Sequence, residues 1–325
     1  MGYFTQCTIA HLFFINSLLC VMKYISLYVA IAVVLVIIIL FAIPAIKMHS
    51  MLDCRSFSEP YNAADFGISS RTITLKSADG ITLGAYEVEV ESPKAVIICL
   101  GGIHSGTITD WYGHASLFAR HSYASLLLDL RAHGASSGEK IYAGTREWMD
   151  VCAAVAFLKS QPRYEAVPVI VMGVSMGAAT AITSTGRCKD IDALISLSSY
   201  SSWEYNFNRN VEQQVPMWLA KILAPFVNAT TSLRFGEYAD VTPLAEIQKL
   251  GCRPALLVHS VGDEIVPFAN FEQLVKAAPN AQKWVVDGDN HCIIEDFVHP
   301  EQDSSYCSVI VKFIEDVAAK SNDNR

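Results

Sequence analysis

The stretch "VPVIVMGVSMG" (167–177) joins a run of apolar, mostly β-branched residues to the pattern Gly-x-Ser-x-Gly. Such a run has the composition of a strand buried on both faces. It ends with Ser175 between Gly173 and Gly177, and "MGAATAITS" (176–184) then opens a helix of small residues. A sharp strand-to-helix turn brings two backbones close together, so small neighbours on both sides are needed, and the two glycines supply them. The turn would lift the hydroxyl above the carboxyl ends of the strands, where open α/β sheets hold ligands. Alone the pentapeptide is weak evidence, because average Gly and Ser usage supplies it in roughly one chain of this length in ten.

A serine hydroxyl needs a base to take its proton. "VVDGDNHCIIEDF" (285–297) offers His291, reached through a Gly-Asp-Asn turn after a strand that ends at Asp287. "HSVGDEIVP" (259–267) offers Asp263, again just past a strand end, to hold the imidazole in one tautomer. Glu264 and Asp289 are the rival carboxylates, and Asp289 lies too close in sequence to His291 to orient it easily. "IICLGGIHSG" (97–106) runs a strand into a glycine-rich loop whose peptide N–H groups can face a developing oxyanion. The Ile103 amide is expected to act there with the Met176 amide. Gly101 and Gly102 are expected to be sterically required in that loop.

The rest of the chain frames these pieces. "RTITLKSADGITLGAYEVEV" (71–90) alternates around an Asp-Gly turn, the pattern of a β-hairpin. Apolar runs follow at 95–100, 123–130, 167–172, 191–199, 254–260 and 281–287, separated by helix-like stretches such as 145–161. This alternation predicts a mostly parallel central sheet with helices on both faces. The interval 203–240 is too long for an ordinary crossover and reads as a helical cap. Its Trp203, Phe207 and Trp218, with His104 of the glycine loop, are the candidate substrate contacts. The same aromatics also suit packing of a cap onto the body.

The amino-terminal part is of another kind. Tyr24–Ile43 is twenty residues without a charge, about 30 Å of helix, enough to span a bilayer. We expect a leader at 1–23, an uncleaved single-pass anchor at 24–46, a linker at 47–70, the globular domain at 71–320 with its cap at about 200–245, and a tail at 321–325. "MLDC" (51–54) resembles a lipoprotein box, but an aspartate precedes Cys54. Lys23 and the amino terminus balance Lys47 and Arg55, so the side of the membrane is not readable. All 32 acidic residues lie beyond Lys47, which speaks against a nucleic-acid surface. Nine cysteines show no C-x-x-C pair, and His104, His114, His121 and His133 lack a His-Glu-x-x-His spacing, so neither a metal nor a cofactor is expected. Cys292 and Cys307 are a candidate disulfide if the domain faces an oxidising space.

From about 71 to 318 the chain resembles the α/β-hydrolases, whose triad follows the same order, Ser175, Asp263, His291. "DLRAHGASSG" (129–138) is similar to the Asp-x-Arg-Gly-His-Gly-x-Ser segment of the branch that holds serine aminopeptidases, monoacylglycerol lipases and related membrane-anchored bacterial hydrolases. Ala132 replaces the first glycine of that segment, and Gly101-Gly102 replaces the common His-Gly pair. In the family the segment is mainly structural, so the resemblance gives Asp129, Arg131 and His133 no chemistry. It implies Ser-His-Asp acyl transfer on a small-molecule or lipid ester, of carboxylesterase, lysophospholipase or monoacylglycerol lipase type. A peptidase or acyl-protein thioesterase would use the same triad. A catalytically silent, membrane-tethered binding protein is the rival from another class.

Overall fold

A computed structural model describes residues 2–53, 57–58 and 60–323, with side chains from 16 to 321, so Cys54 and the last two residues lie outside it. Two compact units are present, one ending at Met48 and one beginning at His49. The first is made by helix α1 (Gly2–Leu52), longer at both ends than the expected 24–46. A single Lys23 does not interrupt it, and Pro44 lies inside it. The leader and the apolar stretch are therefore one element. Its segment Asn16–Leu52 is long and apolar enough to cross a membrane, a property shared by anchors and signal sequences.

The second unit is built on one eight-stranded sheet. Its strands are β1 (Arg71–Lys76), β2 (Thr82–Val88), β3 (Ala95–Leu100), β4 (Tyr123–Leu128), β5 (Val169–Val174), β6 (Ala193–Leu197), β7 (Ala255–Ser260) and β8 (Gln282–Val286). Their spatial order is β1-β2-β4-β3-β5-β6-β7-β8. The hairpin β1–β2 and the pair β2–β4 are antiparallel, and every other neighbour is parallel. The order follows the side chains: the strands from β3 to β7 are buried along their whole length, as strands covered on both faces must be.

The helices of this unit are α2 (Tyr112–Arg120), α3 (Trp148–Lys159), α4 (Met176–Arg187), α5 (Trp203–Gln214), α6 (Met217–Phe235), α7 (Pro243–Glu246), α8 (Ala269–Ala277) and α9 (Ser304–Asp323). On one face Ile97, Cys99, Ile170 and Met172 form a cluster with Phe118 of α2 and Ile310 and Phe313 of α9. The alternate residues Ile98 and Val171 are equally buried on the opposite face. Between β6 and β7 stands the helical insertion, α5 and α6. Ser202 caps α5 by accepting from the Tyr205 amide at 3.0 Å.

Arg131, just past β4, is 2% exposed and held from two sides. Its Nη2 donates to Asp150 of α3 at 2.6 Å and its Nη1 to Asp79 of the hairpin turn at 2.7 Å. This buried pairing ties the hairpin, the end of β4 and α3 together, and removing one partner would strand a buried charge. The role is structural, as the resemblance implies.

Candidate active site

The candidate groups stand on four loops, each leaving the carboxyl end of a parallel strand. The first leaves β5. Ser175 has φ 56° and ψ −119°, a left-handed conformation uncommon for a residue with a side chain. Its amide donates to Leu197 O at 2.9 Å, which holds the turn against β6. A Cβ at Gly173 would collide with the carbonyl of Gly177, and one at Gly177 with the carbonyls of Leu100 and Gly101. The elbow is thus pressed onto the end of β3, and both glycines are sterically obligatory.

The second loop leaves β3. Gly102 O accepts from the Ser105 amide at 3.2 Å. Because the peptide is planar and trans, fixing that carbonyl sends the Ile103 N–H in the opposite direction. Among the described residues neither the Ile103 nor the Met176 N–H has a protein acceptor. Gly102 corrects one expectation: a Cβ there would sit 3.6 Å from Ser175 Cβ, an ordinary contact, so sterics alone do not demand glycine. Gly101 is tighter, with Ser105 Oγ 2.8 Å away.

The loop after β4 supports the one after β3. His133 Nε2 lies 2.9 Å from Ile103 O, and its Nδ1 lies 2.9 Å from Arg131 O. Sequence reasoning had left His133 without a role. The signal that finds it is topological: β3 and β4 are parallel neighbours, so the loops at their ends must touch. Behind them the Asp129 carboxylate accepts from the Ile108 amide at 3.1 Å and the Ala135 amide at 2.9 Å. Burial raises its pKa. Burial, and then the charge of Asp129, push the neighbouring Asp110 up to about 7.

The third and fourth loops leave β7 and β8. Asp263 is buried, and its Oδ1 accepts from the Ile265 and Val266 amides, both at 2.9 Å. Its Oδ2 lies 2.7 Å from His291 Nδ1. Glu264 and Asp289 are exposed, so neither competes for the ring. A second imidazole, His259 Nε2, donates to Val266 O at 2.8 Å and lies 3.5 Å from Asp263 Oδ2. Burial lowers the pKa of His259. The turn carrying His291 is braced by Gly262 N to Gly288 O at 2.7 Å and by Ser260 Oγ to Asn290 O at 2.7 Å. Among the described residues no hydrogen bond joins Ser175 Oγ to His291. Such links commonly close only on substrate binding.

The expected substrate contacts do not gather as a group. His104 is exposed. Trp203 and Phe207 are 5% and 6% exposed, with Trp203 packed edge-on against Tyr200 at 5.9 Å and tilted on Phe207 at 6.1 Å. They fasten the insertion to the body. Trp218 is 65% exposed on α6. Cys292 and Cys307 are separate thiols. Among the described residues no three of His, Cys, Asp and Glu cluster as metal ligands.

Comparison with known proteins agrees with this architecture. Residues 91–249 match the family described as serine aminopeptidase, S33. The chain is 30% identical over 224 residues to the uncharacterized protein YqkD of Bacillus subtilis, covering 66% of this chain and 71% of that protein. It is 26% identical over 214 residues to protein bem46 of Schizosaccharomyces pombe, covering 62% of this chain and 64% of that one, just under two thirds of its length. Among solved structures, the Pyrococcus furiosus esterase Pf2001 shares the fold with a TM-score of 0.65 at 21% identity, over 82% of this chain and 97% of that one. Sequence relatives and fold point the same way, and the chain belongs to the α/β-hydrolase superfamily, among hydrolases of the esterase and peptidase type.

Proposed function

We propose that this protein is a serine hydrolase, anchored in a membrane by α1, that cleaves carboxylic esters through Ser175, His291 and Asp263. The observation that carries the reading is the 2.7 Å bond between His291 Nδ1 and Asp263 Oδ2, made while Asp263 Oδ1 is already fixed by two amides. A carboxylate so held can accept only in one direction, so it sets the tautomer that leaves Nε2 free as a base.

The steps follow. Nε2 takes the Ser175 hydroxyl proton as Oγ attacks the ester carbonyl carbon. Negative charge gathers on the carbonyl oxygen, where the Ile103 and Met176 N–H groups receive it; losing one such donor typically costs about 10²–10³ in rate. The C–O bond to the alcohol then breaks, and His291 returns the proton to the leaving oxygen. Water, activated by the same ring, releases the acid and restores Ser175. The apolar α1 and the apolar α6 favour esters with acyl chains drawn from lipid.

Ser175→Ala tests this directly. The variant keeps the same Cβ, so its melting temperature should match that of the parent. Labelling by a fluorophosphonate should vanish, and p-nitrophenyl ester turnover should fall by about 10⁴-fold or more. Labelling that persists overturns the assignment. The matched family description, a serine aminopeptidase, favours a second reading in which the same groups cleave an amide. Rates on p-nitrophenyl esters of graded chain length, set against aminoacyl p-nitroanilides, separate the two.

A further inference from the structure

We propose that the outward face of α6 rests on the membrane surface, with Trp218, Ile222 and Leu233 in contact with lipid. The inference builds on the anchoring of α1 put forward above. Its first support is the pattern of the helix. Leu223, Val227 and Phe235 are buried against the body, yet Trp218, Ile222 and Leu233 are 65%, 45% and 79% exposed. Residues 218, 222, 225, 229 and 233 recur every three or four positions and read Trp, Ile, Pro, Ala, Leu. They form one continuous apolar stripe on the solvent side, about 22 Å from end to end. A helix that is apolar on two sides needs a second apolar surface.

The second support identifies that surface. Arg234, next to Leu233, is ion-paired with Asp53. The Ile141 amide donates to Leu52 O at 3.0 Å, and Arg234 Nη2 also reaches Ile141 O at 3.3 Å. Leu52 is the last residue of the apolar span Asn16–Leu52, and Asp53 follows it directly. Within the second unit, the residues that end the span are therefore tied to Ile141 and to Arg234 in the last turn of α6. The side chains suit a headgroup surface. Trp218 is of the residue type that settles at the lipid headgroups, and Lys221 is exposed beside it. Tyr142 lies under Arg234 with its ring 5.9 Å from the guanidinium. A second copy of the chain or another protein would cover the stripe equally well, but neither would account for Arg234, next to its last residue, being paired with Asp53 at the end of the span.

The test uses the full chain reconstituted in phosphatidylcholine vesicles, with and without lipid brominated on its acyl chain. Brominated lipid should quench a clear fraction of the tryptophan emission, and Trp218→Phe should lose most of that quenching. Equal quenching in the parent and in Trp218→Phe overturns the inference. In parallel, Ile222→Ser combined with Leu233→Ser should slow hydrolysis of a long-chain ester carried in the vesicles about fivefold or more, leaving the rate on soluble p-nitrophenyl acetate unchanged. Equal rates on the vesicle substrate also overturn it. A smaller particle in detergent for the double variant than for the parent would assign the face to a second copy instead, and overturn it. Alkaline carbonate washing keeps the two readings apart. Retention in the pellet without bromine quenching sinks the α6 contact and leaves the anchor standing; release with quenching sinks the anchor and supports the contact.

Discussion

Around Ser175 the loops are tied down at both ends, whereas Trp218, Ile222 and Leu233 on the outer side of α6 stand open to solvent among the described residues. Asp263 uses three contacts on two oxygens, Ile103 has its carbonyl held by His133, and Gly177 has no room for a methyl group. On α6 four large apolar side chains, Met217, Trp218, Ile222 and Leu233, stand open. The first region is fixed by stereochemistry internal to the fold. The second is shaped by whatever lies outside it. A residue's tolerance to change should differ accordingly between the two.

The largest expected effect is chemical. Asp263→Asn keeps the shape but offers an amide N–H to the ring, so kcat should fall about 10³–10⁴-fold with KM little altered. A loss below tenfold would mean that the third loop is not part of the machinery. Next is a purely steric test. Gly177→Ala drives a methyl group into the Leu100 and Gly101 carbonyls and should cost about 3 kcal/mol in urea unfolding. Gly102→Ala, by contrast, should leave stability within about 0.5 kcal/mol, since its methyl group finds an ordinary contact.

Asp110→Asn probes the charge behind the glycine loop. The folded pKa of about 7 lies above the ordinary 3.8, so between these values the folded protein holds a proton that the unfolded chain has lost. Stability should therefore decline as pH rises from about 4 to 7 and level off above. The variant removes this penalty: it should match the parent near pH 4 and exceed it by about 1–3 kcal/mol at pH 8. Parallel curves for the two proteins would refute the shift. The smallest effect belongs to the insertion. Leu233→Ser, measured in detergent, should change stability by no more than about 0.5 kcal/mol. A cost above about 2 kcal/mol would show that the face is packed inside the protein after all, and the contrast would fail.

The same contrast explains what could be read in advance. The run 95–100 became β3 with the same limits, and 145–161 contained α3, because buried strands and amphipathic helices carry their periods in the sequence. In sequence Asp263 and Glu264 are adjacent rivals; the structure separates them by burying Asp263 beside His291 and leaving Glu264 exposed. His133 was not legible, since its partner lies thirty residues away and meets it only through the pairing of β3 with β4. The exposure of Trp218 was not legible for a different reason: an aromatic residue in an inserted helix can turn inward or outward, and a helix apolar on both sides gives no period to decide. Gly102 taught a third lesson. Two adjacent glycines look alike in sequence, yet only the space around each says which one is compulsory.

Pro225 sits in the middle of that helix, on its open side. It has no N–H, so the Lys221 carbonyl four residues earlier loses its α-helical donor. In hydrocarbon a carbonyl without its bond would cost several kcal/mol, whereas among hydrated headgroups water can supply the missing donor. In the membrane contact proposed for α6, the proline would therefore set a ceiling on immersion, letting the helix float at the interface and keeping it from sinking further.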